Sequence, residues 1–437
     1  MKVLKFGGTS VGSAARMKSV AKLINDDKQK IVVLSAMSGT TNSLVEISDY
    51  FYRKNTSGAL ERINVLEQKY REVVSELYDS EEYKTQGFKV LKEHFTYLRS
   101  FSKSVFTLFE EKAILAQGEL LCTALFQLYL NEIKTDSVLL PALDFMRIDK
   151  NAEPDTAFIN ENIEKQLAEN KGHKIYITQG YICRNFYGEI DNLQRGGSDY
   201  TASLIGAAIH SEEIQIWTDI DGMHNNDPRY VNNTKPVPYL HFEEAAELAY
   251  FGAKILHPTC ILPAKLNNIP VRLLNTMDPN AHGTLISLQY CKNTIQAVAA
   301  KDGITAIKIK SGRMLLAYGF LRKVFDVFES YRTSIDMITT SEVGVSVTID
   351  KTKHLDEIVN ELKKLGTVTV DTDMTIICVV GDIPAKNTGI QAKAVDALKN
   401  IPIRMISYGG SNYNISFLIK SEDKIQALNE LSKSLFD

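Results

Sequence analysis

What most narrows the fold is the opening of the chain. Val3-Leu4-Lys5-Phe6 reads as a strand, Gly7-Gly8-Thr9-Ser10-Val11-Gly12 as a glycine turn, and a helix follows from about Ala14. A second strand at residues 31–35 is an almost continuous apolar run, the pattern of a parallel strand covered on both faces. Strand, glycine turn, helix and buried strand make a βαβ unit, and that unit commits the chain to a largely parallel sheet with helices on it.

From about residue 44 to 133 the rhythm changes. Leu60, Ile63, Leu66, Tyr70, Val73 and Leu77 recur at intervals of three and four, as do Phe88, Leu91, Phe95, Leu98 and Phe101. No proline occurs before Pro141. This is a block of amphipathic helices whose apolar stripes face a core. Strands return at 137–140, 174–178 and 213–217; a helix is expected over 241–254, then strands at 271–274 and 283–286. The α/β series implies one domain over residues 1–295.

Beyond that point the units are smaller. Strand 313–318, helix 320–331, strands 335–340 and 343–349, helix 354–365 and strand 367–370 spell βαββαβ, the ferredoxin-like order. A second copy starts at 375–380, continues with helix 391–399, strands 403–408 and 413–419 and helix 424–435, and lacks one strand. Residues 304–309 could supply it. The expected division is therefore 311–372 for the first small domain and 302–310 plus 373–437 for the second, one inserted in the other.

Composition closes off other classes. The 437 residues carry 50 basic and 53 acidic side chains, net charge −3, so a surface that grips nucleic acid throughout is not expected. No run approaches about eighteen apolar residues, so no membrane helix is expected, and the first apolar stretch is too short for a signal peptide. The five cysteines form no CxxC pair, which suits a reducing cytoplasm and argues against a disulfide framework or a zinc ribbon.

Three clusters can carry chemistry. Lys5 sits inside an apolar strand just ahead of the glycine turn, and a buried ammonium requires an anionic partner. The turn itself, with Gly7, Gly8, Thr9 and Ser10, stands where backbone N–H groups and a helix start attract phosphate, although no Lys-Ser/Thr follows Gly12 as in a Walker A loop. Gln194-Arg195-Gly196-Gly197-Ser198-Asp199-Tyr200-Thr201 is a second glycine pair before a helix; two such turns suit two anionic groups or one polyphosphate. Trp217-Thr218-Asp219-Ile220-Asp221-Gly222 ends a strand in an acidic turn that fails the EF-hand template, and the eight histidines form no HExxH or other ligand spacing.

Taken in order, Lys5-Phe6-Gly7-Gly8-Thr9-Ser10-Val11, Ser35-Ala36-Met37-Ser38-Gly39-Thr40-Thr41-Asn42, Gly118-Glu119, Arg195-Gly196-Gly197-Ser198-Asp199-Tyr200-Thr201, Trp217-Thr218-Asp219 and Phe251-Gly252-Ala253-Lys254-Ile255-Leu256-His257-Pro258 resemble the aspartokinases over essentially the whole chain. The resemblance implies an amino-acid kinase fold, a largely parallel sheet sandwiched by helices, followed by two ACT domains. It implies ATP-dependent phosphorylation of the L-aspartate side-chain carboxylate, with Mg²⁺, at the entry to lysine, threonine and methionine biosynthesis.

By the same resemblance Lys5 bridges the transferring phosphate and Asp199 positions that lysine and the magnesium, with no direct protein metal cluster. Ser35, Thr41, Glu119, Arg195, Gly197 and Ser198 hold aspartate, Arg195 on its α-carboxylate and Glu119 on its amine. Thr218, Asp219, His224, Arg229, Lys254 and Ile255 match the nucleotide set, His224 standing where some relatives carry tyrosine. Met314, Phe320, Leu321, Ser334, Asp336, Thr340, Ser341 and Glu342 resemble the effector segment of lysine-sensitive members, with Ala317 in place of a serine. Lysine, or threonine, is the expected effector, and a homodimer through the ACT domains the expected assembly. Rival expectations are another amino-acid kinase, acting on glutamate or a carbamate, and a non-catalytic ACT-type amino-acid sensor. The fusion form bearing homoserine dehydrogenase is not expected from the length.

Overall fold

The computed structural model describes residues 1–103, 105–193, 196–252, 258–289, 294–312, 314, 318–383 and 389–436. The chain divides into two compact units, Met1–Met223 with Leu256–Gln289, and His224–Ile255 with Tyr290–Asp437. Residues 224–252, inside the expected 1–295 domain, thus group with the C-terminal part of the chain.

In the first unit β1 (Lys2–Phe6), α1 (Ala14–Ile24) and β2 (Lys30–Leu34) are the anticipated βαβ element. Helices α2 (Thr40–Tyr52), α3 (Thr56–Leu77), α4 (Glu81–Ser100) and α5 (Leu108–Glu132) follow. After them come β3 (Ser137–Leu139), α6 (Thr156–Glu169), β4 (Ile175–Gln179), the hairpin β5 (Ile182–Arg184) and β6 (Ile190–Asn192), α7 (Gly197–Ala208) and β7 (Ile214–Thr218). The chain passes through β8 (Tyr239–His241) and α8 (Phe242–Tyr250), then returns as α9 (Pro258–Leu266), β9 (Val271–Asn275) and β10 (Thr284–Ser287). The strands of the first unit run in the order β3-β4-β2-β1-β7-β9-β10, parallel except β10 against β9. All five residues of β2 are buried, which is why the sequence there is apolar without alternation.

The helical block fills one core with Leu66, Tyr70, Phe95, Leu98 and Phe126. Tyr70 and Phe95 meet edge to face at 6.0 Å, and truncating Phe95 to Ala would cost about 3–5 kcal/mol through the cavity left behind. Helix α5 is long and apolar enough to cross a membrane by composition, contrary to the sequence expectation, yet 72% of its apolar window is buried inside the fold. Its apolarity is that of a core helix, and Glu119 lies in its middle.

In the second unit β11 (Ile295–Lys310), α10 (Phe320–Ser330), β12 (Ile338–Ser341), β13 (Gly344–Ile349), α11 (Leu355–Lys363), β14 (Thr367–Gly381), α12 (Ile390–Ala397), β15 (Met405–Tyr408), β16 (Asn414–Lys420) and α13 (Lys424–Phe436) complete the fold. They form a six-stranded sheet, β12-β13-β11-β14-β16-β15. The two ferredoxin-like copies interleave as anticipated, but the allotment of strands differs. Residues 305–310 pair with β13 and belong to the first copy, whereas Ile295 to Lys301 pair with the second half of β14 and complete the second copy. Ile307 and Ile309 accordingly pack with Phe320 and Val347, and Val298 with Ile377 and Phe417. One long strand, shifted in register near Gly303 at φ +73°, serves both copies; the polar break Lys301-Asp302-Gly303 makes it read as a strand start. The strand anticipated at 313–318 is absent at Met314 and Tyr318; Arg313 and residues 315–317, Ala317 among them, lie outside the described residues.

Candidate active site

Two glycine devices and one ion pair build the cleft. Lys5 Nζ lies 2.6 Å from Asp199 Oδ1, with the two side chains 12% and 14% exposed. This is the anionic partner that an ammonium on a buried strand requires. Asp199 is the third residue of α7, so its position depends on where that helix starts. Gly196 precedes it at φ +77°, a left-handed conformation that glycine adopts without strain. A Cβ on Gly197 would stand 2.3 Å from the ring of Tyr181, so no larger residue fits without moving that ring. The helix anticipated after this glycine pair begins within it, at Gly197, so that its first turn stands at the cleft.

The cleft, about 420 Å³, is lined by Gly8, Thr9, Ser35, Gly39, Thr41, Glu119, Gly197 and Ser198, with Ala36, Met37, Ser38, Asn42 and Tyr181. Seven substrate or phosphate residues from separate sequence clusters, Gly8, Thr9, Ser35, Thr41, Glu119, Gly197 and Ser198, are thus brought together. Two helices start here, α2 after Gly39 at φ +79° and α7 after Gly196, and neither has a side-chain cap. Their free N–H groups leave partial positive charge at the cleft. The helix α1, by contrast, is capped by Ser13, whose hydroxyl accepts from the Arg16 N–H at 3.4 Å. The N–H groups of Gly8 and Thr9 take no partner among the described residues and remain available to an anion.

Glu119 is the most perturbed carboxylate among the described residues. It is 4% exposed; Oε1 accepts the Ala36 N–H at 3.1 Å, and Oε2 is buried without a hydrogen bond among the described residues. Burial pushes its carboxyl up to about 8 against the opposing pull of that N–H and of Lys5. A buried acid oxygen facing no donor, in a cleft, is a vacancy for a ligand's N–H.

Other expectations came out differently. Ser10 is fully buried, its hydroxyl 2.7 Å from Thr276 Oγ1 and 3.4 Å from the Trp217 carbonyl, and its N–H bonds to the Gly7 carbonyl. It fastens the turn to β7 and does not face the cleft. Thr218 and Asp219 bond to each other at 3.1 Å at the carboxyl end of β7, beside β1. His224 and Arg229 belong to the second unit, His224 bonded to Thr234 at 2.9 Å and Arg229 forked onto Asp227 at 2.7 and 3.0 Å. Arg195, Lys254 and Ile255 lie outside the described residues. Tyr181 was missed by sequence reasoning. Its only signal is structural, a φ of +67° uncommon for a side chain of that size. Among the described residues no group of three or more His, Cys, Asp or Glu could hold a metal ion.

In the second unit the anticipated effector residues separate into two kinds. Phe320 is in the core and Met314 packs against it, while Leu321, Ser334, Thr340, Ser341 and Glu342 are exposed. The Asp336 side chain is fully buried and ion-paired.

A parallel sheet with paired glycine-capped helices over a strand lysine defines a phosphoryl-transfer protein of the amino acid kinase type. The amino acid kinase family model matches residues 1–275 and an ACT domain model residues 377–435. Over 458 residues the chain is 33% identical to lysine-sensitive aspartokinase 3 of Escherichia coli, covering 100% of this chain and 99% of that one. The crystal structure of E. coli aspartokinase III with aspartate and ADP superposes with a TM-score of 0.86, 32% identity and full coverage of both chains. The structure of the same enzyme with lysine and aspartate gives 0.82, again at 32% identity and full coverage. The chain belongs to the amino acid kinase family and, within it, to the aspartokinases.

Proposed function

We infer that this chain is an aspartate kinase, transferring the γ-phosphoryl group of ATP to the side-chain carboxylate of L-aspartate. The observation that carries the reading is the Lys5–Asp199 pair at 2.6 Å, beside a cleft where two uncapped helices begin. An aspartate side-chain oxygen forms the new bond to the γ-phosphorus while the bond from that phosphorus to the β,γ-bridging oxygen breaks. The electron pair leaves with ADP, and the product is 4-phospho-L-aspartate. The nucleophile is already ionised, so no strong base is needed; what is needed is positive charge and oriented N–H groups among several negative ones. Lys5 supplies the charge, and Gly8, Thr9 and the starts of α2 and α7 supply the N–H groups. Glu119 receives the substrate ammonium on its unbonded oxygen.

Mg²⁺ fits the donor chemistry. Asp199 has a second carboxylate oxygen beyond the one on Lys5, the hard donor this ion takes. When bound, the ion neutralises phosphate charge; Asp199 meanwhile holds Lys5 in place. Lysine is the proposed effector, acting through the ACT domains. Two copies are proposed to pair through those domains, because β12 and β15 end the sheet and carry exposed Ile338, Ile406 and Tyr408. Light scattering at twice the chain mass would support that pairing, and a monomer mass would refute it.

The deciding experiment is ADP release coupled to a reporter, with L-aspartate, L-glutamate and carbamate as acceptors. Turnover with aspartate alone is expected. Preference for another acceptor would overturn the substrate, and no turnover with any would overturn the activity.

A further inference from the structure

Asp336 is not a vacant acid awaiting a ligand. Lys301 Nζ, from the long strand β11, lies 2.7 Å from Asp336 Oδ1 and 3.0 Å from Asp350 Oδ2. The Tyr250 hydroxyl, at the end of α8, donates to the same Asp336 oxygen at 2.7 Å, and the Lys301 ammonium sits 4.5 Å from the centre of the Tyr250 ring. The Asp336 side chain is fully buried. Its Oδ2 and the Oδ1 of Asp350 are buried and take no hydrogen bond among the described residues. Two carboxylates thus share one ammonium, leaving one negative charge uncompensated and two buried oxygens unfilled. Such a cluster has capacity for a second cation, and it already contains a lysine side chain, the chemistry of the proposed effector.

We propose that Lys301 is a built-in competitor for the effector's ammonium group at Asp336, and that displacing it also frees Tyr250, so that helix α8 reports effector binding. This rests on the lysine-effector reading above. An ammonium entering at Asp336 must contend with two donors already on Oδ1, so the apparent affinity is lowered by the fraction of time the site is held closed. Tyr250 stands four residues before Lys254, the position that the family resemblance assigns to the nucleotide. A change at its hydroxyl therefore has a short covalent path to that residue. A second anchor on the same helix, Glu247, accepts from Asn414 Nδ2 of the other ferredoxin-like copy at 2.5 Å, so both copies grip α8.

The test uses the full chain and L-lysine, with calorimetric titration for binding and initial rate for inhibition. Lys301→Met is expected to lower the half-saturating lysine concentration at least about tenfold, since a site closed nine-tenths of the time gains that factor when the competitor is removed. Should that variant not fold, Lys301→Gln, which keeps an N–H donor for Asp336 without the charge, carries the same expectation. Lys301→Arg keeps the competing charge and should bind lysine as wild type does or more weakly. Tyr250→Phe should bind lysine at least as tightly as wild type, yet retain more than half of its uninhibited rate at saturating lysine. Wild-type binding with unchanged affinity in Lys301→Met and Lys301→Gln would overturn the competitor. Full inhibition of Tyr250→Phe would overturn the readout by α8. No lysine binding to the wild-type chain would remove the effector reading and this inference together.

Discussion

The molecule holds two lysine–aspartate pairs of nearly equal length in opposite settings. Lys5–Asp199, at 2.6 Å, stands beside an open cleft, each side chain more than a tenth exposed. Lys301–Asp336, at 2.7 Å, has the Asp336 side chain fully buried, Lys301 itself 18% exposed, and a second acid and a tyrosine on the same ammonium. Distance alone would rank them as the same interaction. The surroundings decide what each does. At Lys5 one acid balances one ammonium, and free N–H groups border the cleft, so the pair adds to a positive environment that accepts phosphate. At Lys301 the acids outnumber the cation, the imbalance on which the proposed effector site rests.

The largest expected effect breaks the equivalence directly. Lys5→Met should reduce kcat by about 10³-fold or more, the scale of losing a principal charge at a phosphoryl transfer site, with circular dichroism unchanged. The same substitution at position 301 should act on lysine half-saturation as described above. If Lys5→Met retained near-normal turnover, the cleft would not be the catalytic site.

Glu119 gives the next effect and a sign that can be checked. Burial holds its carboxyl up to about 8, while its ordinary value is 4.5. Between those values the folded chain binds a proton that the unfolded chain has lost. Its contribution to stability is therefore present below pH 4.5 and is lost as pH rises to about 8. Glu119→Gln should flatten that slope in thermal unfolding. In kinetics the direction reverses: a substrate ammonium pairs with the ionised carboxylate, so KM for aspartate should fall as pH rises toward 8, by up to about tenfold per unit. The Gln variant should show a raised KM without that dependence; an unchanged KM profile would remove Glu119 from the substrate site.

Gly197→Ala should follow in size. Its added methyl would meet the Tyr181 ring at 2.3 Å, and overpacking of this kind costs about 1–3 kcal/mol. Because Ser198 and Asp199 follow directly, kcat/KM for aspartate should fall together with Tm. Ser10→Ala is the smallest. Loss of its buried bond to Thr276 should cost about 1–3 kcal/mol in chemical denaturation while moving KM for ATP less than about threefold. A large KM change there would return Ser10 to the phosphate site.

Much of the fold was legible because its signals are local. The buried run of β2, the 3.6-residue stripes of α3 and α4 and the glycine pairs ahead of α1 and at the start of α7 each reflect a constraint of neighbours along the chain. The shared strand β11 was misallotted for the same reason. Lys301-Asp302-Gly303 looks like an interruption, and only the pairing, with β14 along both halves and with β13 on residues 305–310 alone, shows one strand serving two copies. The hydroxyl of Ser10, in a glycine turn, looks available for phosphate along the chain, and only the fold brings Thr276, distant in sequence, to within 2.7 Å of it.

The sequence by itself determined that this chain builds a parallel sheet with glycine-opened helix starts, places a lysine on the first strand, and adds a duplicated tail. Those features are written in residue type and spacing. The tertiary structure decided which helix starts stay uncapped, that burial pushes the Glu119 carboxyl up to about 8, and that Asp336 already holds a lysine of its own. Desolvation and charge pairing depend on atoms brought together from far apart in the chain, and no reading along the chain contains them.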